Sequence, residues 1–207
     1  MGNAGAASKK RRTAKPPRSE PRRGGYLPKV AKTENWTTPQ CVIDIVEKVF
    51  GAIELDPCSN PDSIVPAAQR IWLPKWSDDY LESHAQLPDD VVVGDGLEVE
   101  WGGATYFNPP YNAKALDGFM GRAAEHAELG GSAIGLIPSK TDIKAWHAHV
   151  SKAAAICLIA GRVTFGPAEN GATFPNTLAL WSKDRAEVHH FCAVMVEERV
   201  GQVWRPA

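Results

Sequence analysis

The chain has no uninterrupted apolar run that approaches the length of a membrane span, so no segment reads as a transmembrane helix. Its start is charged and lacks the apolar stretch of a secretory signal, which sets the expectation of an intracellular, cytoplasmic protein. Cysteine is scarce: Cys41, Cys58, Cys157 and Cys192 stand at wide, irregular spacings. That pattern excludes a disulfide framework and predicts reduced, buried thiols. His189, His190 and Cys192 lie close together, but no second ligand cluster has suitable spacing, and no metal site is expected. Acid is nearly absent from residues 1–32, where Glu20 stands against ten Lys or Arg, a net charge of +9. The remaining residues hold 13 basic and 23 acidic side chains, or −10, so the overall formal charge of −1 conceals an asymmetric chain.

That first segment is rich in Pro, Gly, Ala and Ser and poor in large apolar groups. It cannot bury enough surface to offset its ordering entropy, so residues 1–33 are expected to be a disordered basic arm. A basic arm beside an acidic domain suggests a polyanionic partner, most simply nucleic acid, with Lys9, Lys10, Arg11 and Arg12 as candidate contacts. Residues 34–207 are long enough to form one domain with a proper core.

From residue 35 onward, apolar patterning begins. Val42, Ile43, Val46, Val49 and Phe50 recur at helical spacing, with Thr38 as the expected N-cap, Pro39 at the first helical position and Gly51 as the stop. Short apolar runs at 52–56, 91–93, 104–107, 132–137, 155–159 and 177–181 read as strands. Helical stretches are predicted at 65–70, 114–129 and 143–153. Residues 72–88 give no assignable element, and 194–200 fit either strand or helix. Strands that alternate with helices and are buried on both faces imply an α/β fold, with a mostly parallel sheet and helices on both sides. In such folds, ligands bind beyond the carboxyl ends of the strands. Four polar loops are expected on that rim: Asp56 to Ser59, Asp95-Gly96, Asn108 to Tyr111, and Ser139 to Asp142.

The most informative of these is Asn108-Pro109-Pro110-Tyr111. A turn of this composition suits methylation of a planar, weakly nucleophilic nitrogen such as the exocyclic amine of a nucleobase. The Asn108 side-chain oxygen and the Pro109 carbonyl can both accept hydrogen bonds from that amine, favouring a pyramidal nitrogen whose lone pair faces a methyl donor. Two prolines, each with fixed φ and no N–H, hold the carbonyl in place. Tyr111 offers a flat face for a base that has left its helix.

An ordered series of motifs extends the pattern. It runs Trp36-Thr37-Thr38-Pro39, Leu55-Asp56-Pro57, Asp95-Gly96-Leu97, Trp101 and Asn108 to Tyr111. It continues through Ile137 to Asp142, Trp146-His147, Gly161 to Phe165, and Phe174-Pro175-Asn176. With this series, residues 36–181 resemble the phage-type DNA N-6-adenine methyltransferase (Dam) family. Asn-Pro-Pro-Tyr alone also occurs in enzymes that methylate protein glutamine or ribosomal guanine; the ordered set is more specific.

The resemblance implies a Rossmann-like fold that binds S-adenosylmethionine. Asp56, Pro57 and Cys58 match the first cofactor loop, whose acid reaches the methionine ammonium group. Thr38 and Pro39 match an element that closes over the cofactor, and Asp95 is similar to the acid near the cofactor adenine. Asn108, Pro109, Pro110 and Tyr111 match the catalytic element. One departure is visible: no glycine follows Asp56, where better-known adenine methyltransferases have a Gly-rich turn. Residues 73–93 are also longer than the family usually needs.

The expected activity is methyl transfer to the 6-amino group of a flipped adenine in duplex DNA, with no general base required. Lys140 and Arg162 are candidate DNA contacts, and residues 73–93 and 166–174 are candidate recognition segments. The 4-amino group of cytosine is the alternative within methyl transfer, disfavoured because its motif usually begins with Ser. A catalytically idle DNA-binding protein with the same fold is the alternative outside it. A phage or prophage product, in anti-restriction, restriction-modification or regulation, fits the family.

Overall fold

The structure, a computed structural model, describes residues 1–2, 37–166 and 172–205. Lys9, Lys10, Arg11, Arg12 and Trp36 lie outside the described residues. All secondary-structure elements belong to the unit Ala31–Ala207. In chain order they are α1 (Gln40–Phe50), β1 (Ile53–Asp56), β2 (Ala67–Trp72), α2 (Pro74–Leu81), β3 (Val91–Val93) and β4 (Ala104–Phe107). Then follow α3 (Ala113–Glu128), β5 (Ser132–Pro138), α4 (Lys144–His149) with a 3₁₀ turn over Val150–Lys152, β6 (Ala155–Ile159), β7 (Asn176–Trp181), α5 (Arg185–Glu197) and β8 (Gly201–Trp204).

The eight strands form one sheet in the order β3-β2-β1-β4-β5-β7-β6-β8. Strands β1 to β5 pair in parallel. Strand β7 runs antiparallel to both β5 and β6, and β8 antiparallel to β6. Only β7 and β8 therefore oppose the common direction, and the carboxyl ends of β1, β3, β4 and β5 share one edge.

Both faces of the sheet are packed, as the unbroken apolar strands imply. On β5 and β7, Ile134, Leu136, Leu178 and Leu180 join one cluster with Val42 and Val46 of α1 and Phe191 and Met195 of α5. Their neighbours Ala133, Ile137, Ala179 and Trp181 face the other way, onto Leu116, Phe119 and Met120 of α3 and Ala145 of α4. The two-residue period of the strands sorts these side chains between the layers. Trp181 is fully buried and meets Phe107 at 5.8 Å between ring centres, so truncating it to Ala would cost about 3–5 kcal/mol.

Helix boundaries follow local chemistry. Gly51, at φ 78°, closes α1 by donating its N–H to the Glu47 carbonyl at 2.7 Å. Asn112 caps α3 by accepting from the Ala115 N–H at 2.9 Å. Asp184 caps α5 in the same way, accepting from the Ala186 N–H at 2.8 Å.

Several sequence expectations are corrected. Pro39, not Thr38, is the N-cap of α1: its carbonyl accepts from Val42 and Ile43, and no side chain caps the helix. The helix predicted over 65–70 is strand β2. Ala, Gln and Arg favour helix locally, but here the backbone pairs with β1 on one side and β3 on the other, and Ile71 and Trp72 are buried. Helix 143–153 is cut short at His149, whose carbonyl accepts from Trp181 Nε1 at 3.0 Å, and the chain continues as a 3₁₀ turn. The unassigned stretch after Trp72 contains α2. The ambiguous segment near 194–200 is the end of α5, followed by Arg199 at φ 54° and then β8.

Candidate functional site

At the carboxyl edge, a cavity of about 230 Å³ opens between the loops after β1, β3 and β4. Apolar walls come from Ile71, Leu73, Trp76, Pro110 and Phe119, and polar groups from Asn60, Asp95 and Asn108. A smaller polar recess adjoins it, lined by Thr37, Thr38, Asp56, Ser63 and, in common with the cavity, Cys58, Asn60 and Asn108.

Strand β1 delivers Asp56 to this recess. The residue is 3% exposed, and its carboxylate accepts from the Cys58 N–H at 3.1 Å. Burial disfavours the ionised form and raises its pKa to about 6, although contacts from Cys58 and Ser59 and the charge of Arg70 pull it partly back. The Cys58 thiol is pushed well up, first by burial and then by the Asp56 charge, while the Asn108 backbone N–H favours its thiolate only weakly. It therefore remains a neutral thiol.

The loops after β1 and β3 touch at one glycine. An added Cβ on Gly96 would stand 1.6 Å from the Pro57 carbonyl oxygen, so only glycine permits this approach. Asp95 forms the turn beside it by accepting from the Leu97 N–H at 2.9 Å, and Trp101 Nε1 donates to the Gly96 carbonyl at 2.8 Å.

Asn108 ends β4 and faces both the cavity and the recess. Its Nδ2 donates to Thr38 Oγ1 at 3.2 Å, and its Oδ1 accepts from the Tyr111 hydroxyl at 2.9 Å. Thr38 Oγ1 also meets the Tyr106 hydroxyl at 3.0 Å, which is the job its side chain performs in place of capping α1. Tyr111 turns away from the cavity. Its hydroxyl accepts from Asn176 Nδ2 at 3.3 Å, and its ring meets Phe174 and Phe165 edge-on at 5.3 and 6.0 Å. Burial raises the pKa of both tyrosines well above the ordinary value, so both hydroxyls stay protonated.

The sequence-predicted residues thus divide. Asp56, Pro57, Cys58, Asp95, Thr38, Asn108 and Pro110 line the cavity or the recess. Pro39 lines neither and serves as a helix cap, and Pro109 is buried beneath the turn. Lys140, read as a DNA contact, donates to the Tyr111 carbonyl at 3.1 Å. Arg162 is exposed in the chain that follows β6. Trp76, Tyr106 and Asn176 carry no site signal in the sequence: Trp76 lies in a stretch without periodicity, Tyr106 reads as strand core, and Asn176 stands in a motif with no role attached. Among the described residues, no group of three or more His, Cys, Asp or Glu could hold a metal ion, and no helix is long and apolar enough to cross a membrane.

The residues present fit S-adenosylmethionine. Apolar walls with a few polar groups suit a nucleoside, and the adjoining recess, of about 10 Å³, sets a buried carboxylate beside that cavity, where it can meet a cationic amino-acid end.

No protein-family model matches the chain, and no curated protein matches it. Among solved structures, a protein assigned as an RNA methyltransferase from Pyrococcus horikoshii is similar at 14% identity and TM-score 0.49, covering 72% of this chain and 87% of that one. The M protein of the type I restriction enzyme EcoKI is similar at 13% identity and TM-score 0.49. That match covers 76% of this chain and 46% of the other, so the chain spans about half the length of that protein. A dimethyladenosine transferase from Plasmodium falciparum is similar at 10% identity and TM-score 0.46, covering 74% and 64%. These likenesses all lie below a TM-score of 0.5.

Proposed function

We propose that this chain transfers a methyl group from S-adenosylmethionine to the exocyclic 6-amino group of adenine in duplex DNA. The observation that carries the reading is the placement of Asn108. It stands at the junction of a nucleoside-sized apolar cavity and a polar recess that holds a buried carboxylate.

Asp56, when ionised, binds the ammonium group at the amino-acid end of the cofactor, a charge-assisted contact in a low-dielectric setting. Ile71, Leu73, Trp76 and Phe119 enclose the nucleoside end and exclude water. The cofactor supplies an electrophilic methyl group. Asn108 Oδ1 and the Pro109 carbonyl accept from the target amine and orient its lone pair. Tyr111 and Lys140 hold the turn from behind, through a side-chain bond and a backbone bond respectively. The amine loses its proton after transfer, and no side chain has to act as base. Rate enhancement then comes from positioning and preorganised dipoles. Because the 6-amino group is paired inside the duplex, the base has to be flipped out. The basic arm of net charge +9 supports DNA as the partner of an otherwise acidic chain.

The test is incubation of the full chain with methyl-tritiated S-adenosylmethionine and unmethylated plasmid DNA, followed by nucleoside analysis. N6-methyladenine is the expected product. Label in 4-methylcytosine would move the activity to the alternative base, and binding of DNA with no transfer of label would favour an idle module.

A further inference from the structure

Behind Asn108, five polar side chains form one connected line through the core. It starts at Asn176, the first residue of β7, which is 1% exposed and lies opposite Pro138 of β5. It passes through Tyr111, Asn108 and Thr38 to Tyr106, with separations of 3.3, 2.9, 3.2 and 3.0 Å. We infer that Asn176 is a positioning residue that fixes which end of the Asn108 amide is oxygen and which is nitrogen, acting through the Tyr111 hydroxyl. The inference rests on the methyl-transfer reading above for its consequence, but not for its geometry.

Asn176 Nδ2 donates to the Tyr111 oxygen, while Asn176 Oδ1 is buried and has no partner. The opposite amide orientation would strand a buried N–H instead, and orphaned donors are rarer than under-used carbonyls. Asn176 is therefore the donor. A phenol that accepts there has a single proton to give. Among the described residues, its nearest acceptor is Asn108 Oδ1 at 2.9 Å, against 3.4 Å to the Leu136 carbonyl. With its oxygen held by Tyr111, the Asn108 amide turns its nitrogen to Thr38, whose hydroxyl also pairs with that of Tyr106. From Asn176 to Thr38 every donor points the same way.

Orientation matters because the two ends of a carboxamide have nearly the same shape and opposite chemistry. Sterics cannot tell them apart; only the polarity of neighbouring hydrogen bonds can. A flipped Asn108 would aim an NH₂ at the target NH₂, donor against donor. Donation from Tyr111 does not spoil the correct state, since a carboxamide oxygen accepts at two lone pairs. Asn176 touches neither the cavity nor the recess, so its effect on the reaction is entirely through this line.

The test uses the full chain and does not depend on turnover. The side-chain NH₂ signals of Asn108 are followed by nitrogen-15 NMR in the wild type, in Asn176→Leu, in Tyr111→Phe and in the double variant. The wild type should give one slowly exchanging pair. Asn176→Leu should give two sets, or exchange at least about tenfold faster, the scale of one lost hydrogen bond. Tyr111→Phe should do the same, and the double variant should go no further than either single. In methyl transfer, each single variant should lose about tenfold in kcat with cofactor affinity unchanged.

An unaltered Asn108 pair in Asn176→Leu overturns the inference, as do single-variant effects that multiply in the double. If Asn176→Leu does not fold, Asn176→Ser, which keeps a donor, must preserve the single pair while Tyr111→Phe loses it. If the wild type transfers no methyl group to DNA, the methyl-transfer reading falls, and the NMR results still decide the amide orientation.

Discussion

On the β1–β3 side of Asn108 the walls stand apart and are mostly apolar, and the loops after β1 and β3 meet where Gly96 admits the Pro57 carbonyl. The β5–β7 side is filled and tied. Lys140 holds the Tyr111 carbonyl, Asn176 holds its hydroxyl, and Phe165 and Phe174 press on its ring. The same four-residue turn belongs to both sides. Its first residue looks into open space, and its last is anchored in packed protein. A site that must accept a ligand and also hold a reacting group within tenths of an ångström needs both textures, and this turn joins them.

The contrast is broken most severely at the joint. Asn108→Ala should lower methyl transfer by about 10²–10³-fold, the scale of a lost preorganised hydrogen-bonding group. Cofactor affinity by calorimetry should stay within a few-fold. A variant with near-normal turnover would separate Asn108 from the reaction.

A smaller loss is expected from closing the open side. Gly96→Ala sets a methyl group against the Pro57 backbone, and a backbone neighbour cannot rotate away. Cofactor affinity should fall at least about tenfold, with about 1–3 kcal/mol of overpacking cost seen in thermal unfolding. Both values unchanged would mean that the two loops part without consequence and that their contact does not shape the cavity.

The probe that changes no side chain is pH. The Asp56 pKa is raised from 3.8 to about 6 in the folded chain, so between those values the native state holds more protons than the unfolded one. The ligand-free chain should therefore lose stability as pH rises from about 4 to about 6, by about 3 kcal/mol at most, and stay level above. Cofactor affinity should run the other way, rising about tenfold per pH unit up to about 6, because the ammonium group requires the ionised carboxylate. Cys58, Arg70 and Tyr106 are close enough to Asp56 to feel its charge or pair with it. Asp56→Asn should flatten both profiles, and a sloped affinity profile in that variant would place the titrating group elsewhere.

Much of the open side was legible in the sequence, because its residues are loop residues that follow recognisable strands. Asp56, Asp95 and Asn108 each come directly after a short apolar run, and parallel strands carry such positions to a common edge. The tied side was not legible in the same way. Asn176 and Lys140 act on Tyr111 from 65 and 29 residues away, and no local pattern encodes a hydrogen bond between partners so far apart in the chain. Strand β2 was misread for a related reason. Its Ala-Ala-Gln-Arg start has helical propensity, and only pairing with β1 and β3 makes it a strand. Thr38 was assigned to the nearest helix, while its real partners, Tyr106 and Asn108, lie 68 and 70 residues on.

Cys58 lines both the cavity and the recess, and its thiol is held protonated by burial and by the neighbouring Asp56 charge. Under the proposed methyl transfer, this amounts to self-protection. A thiolate is a far better acceptor than an aromatic amine, and one lodged beside the donor would be alkylated in place of the substrate. The carboxylate that welcomes a cationic ligand also keeps the adjacent sulfur from ionising. If the proposal holds, burial and one negative charge together silence the nearest competitor for the reagent that the charge attracts, which lets a soft nucleophile sit in the wall of the site.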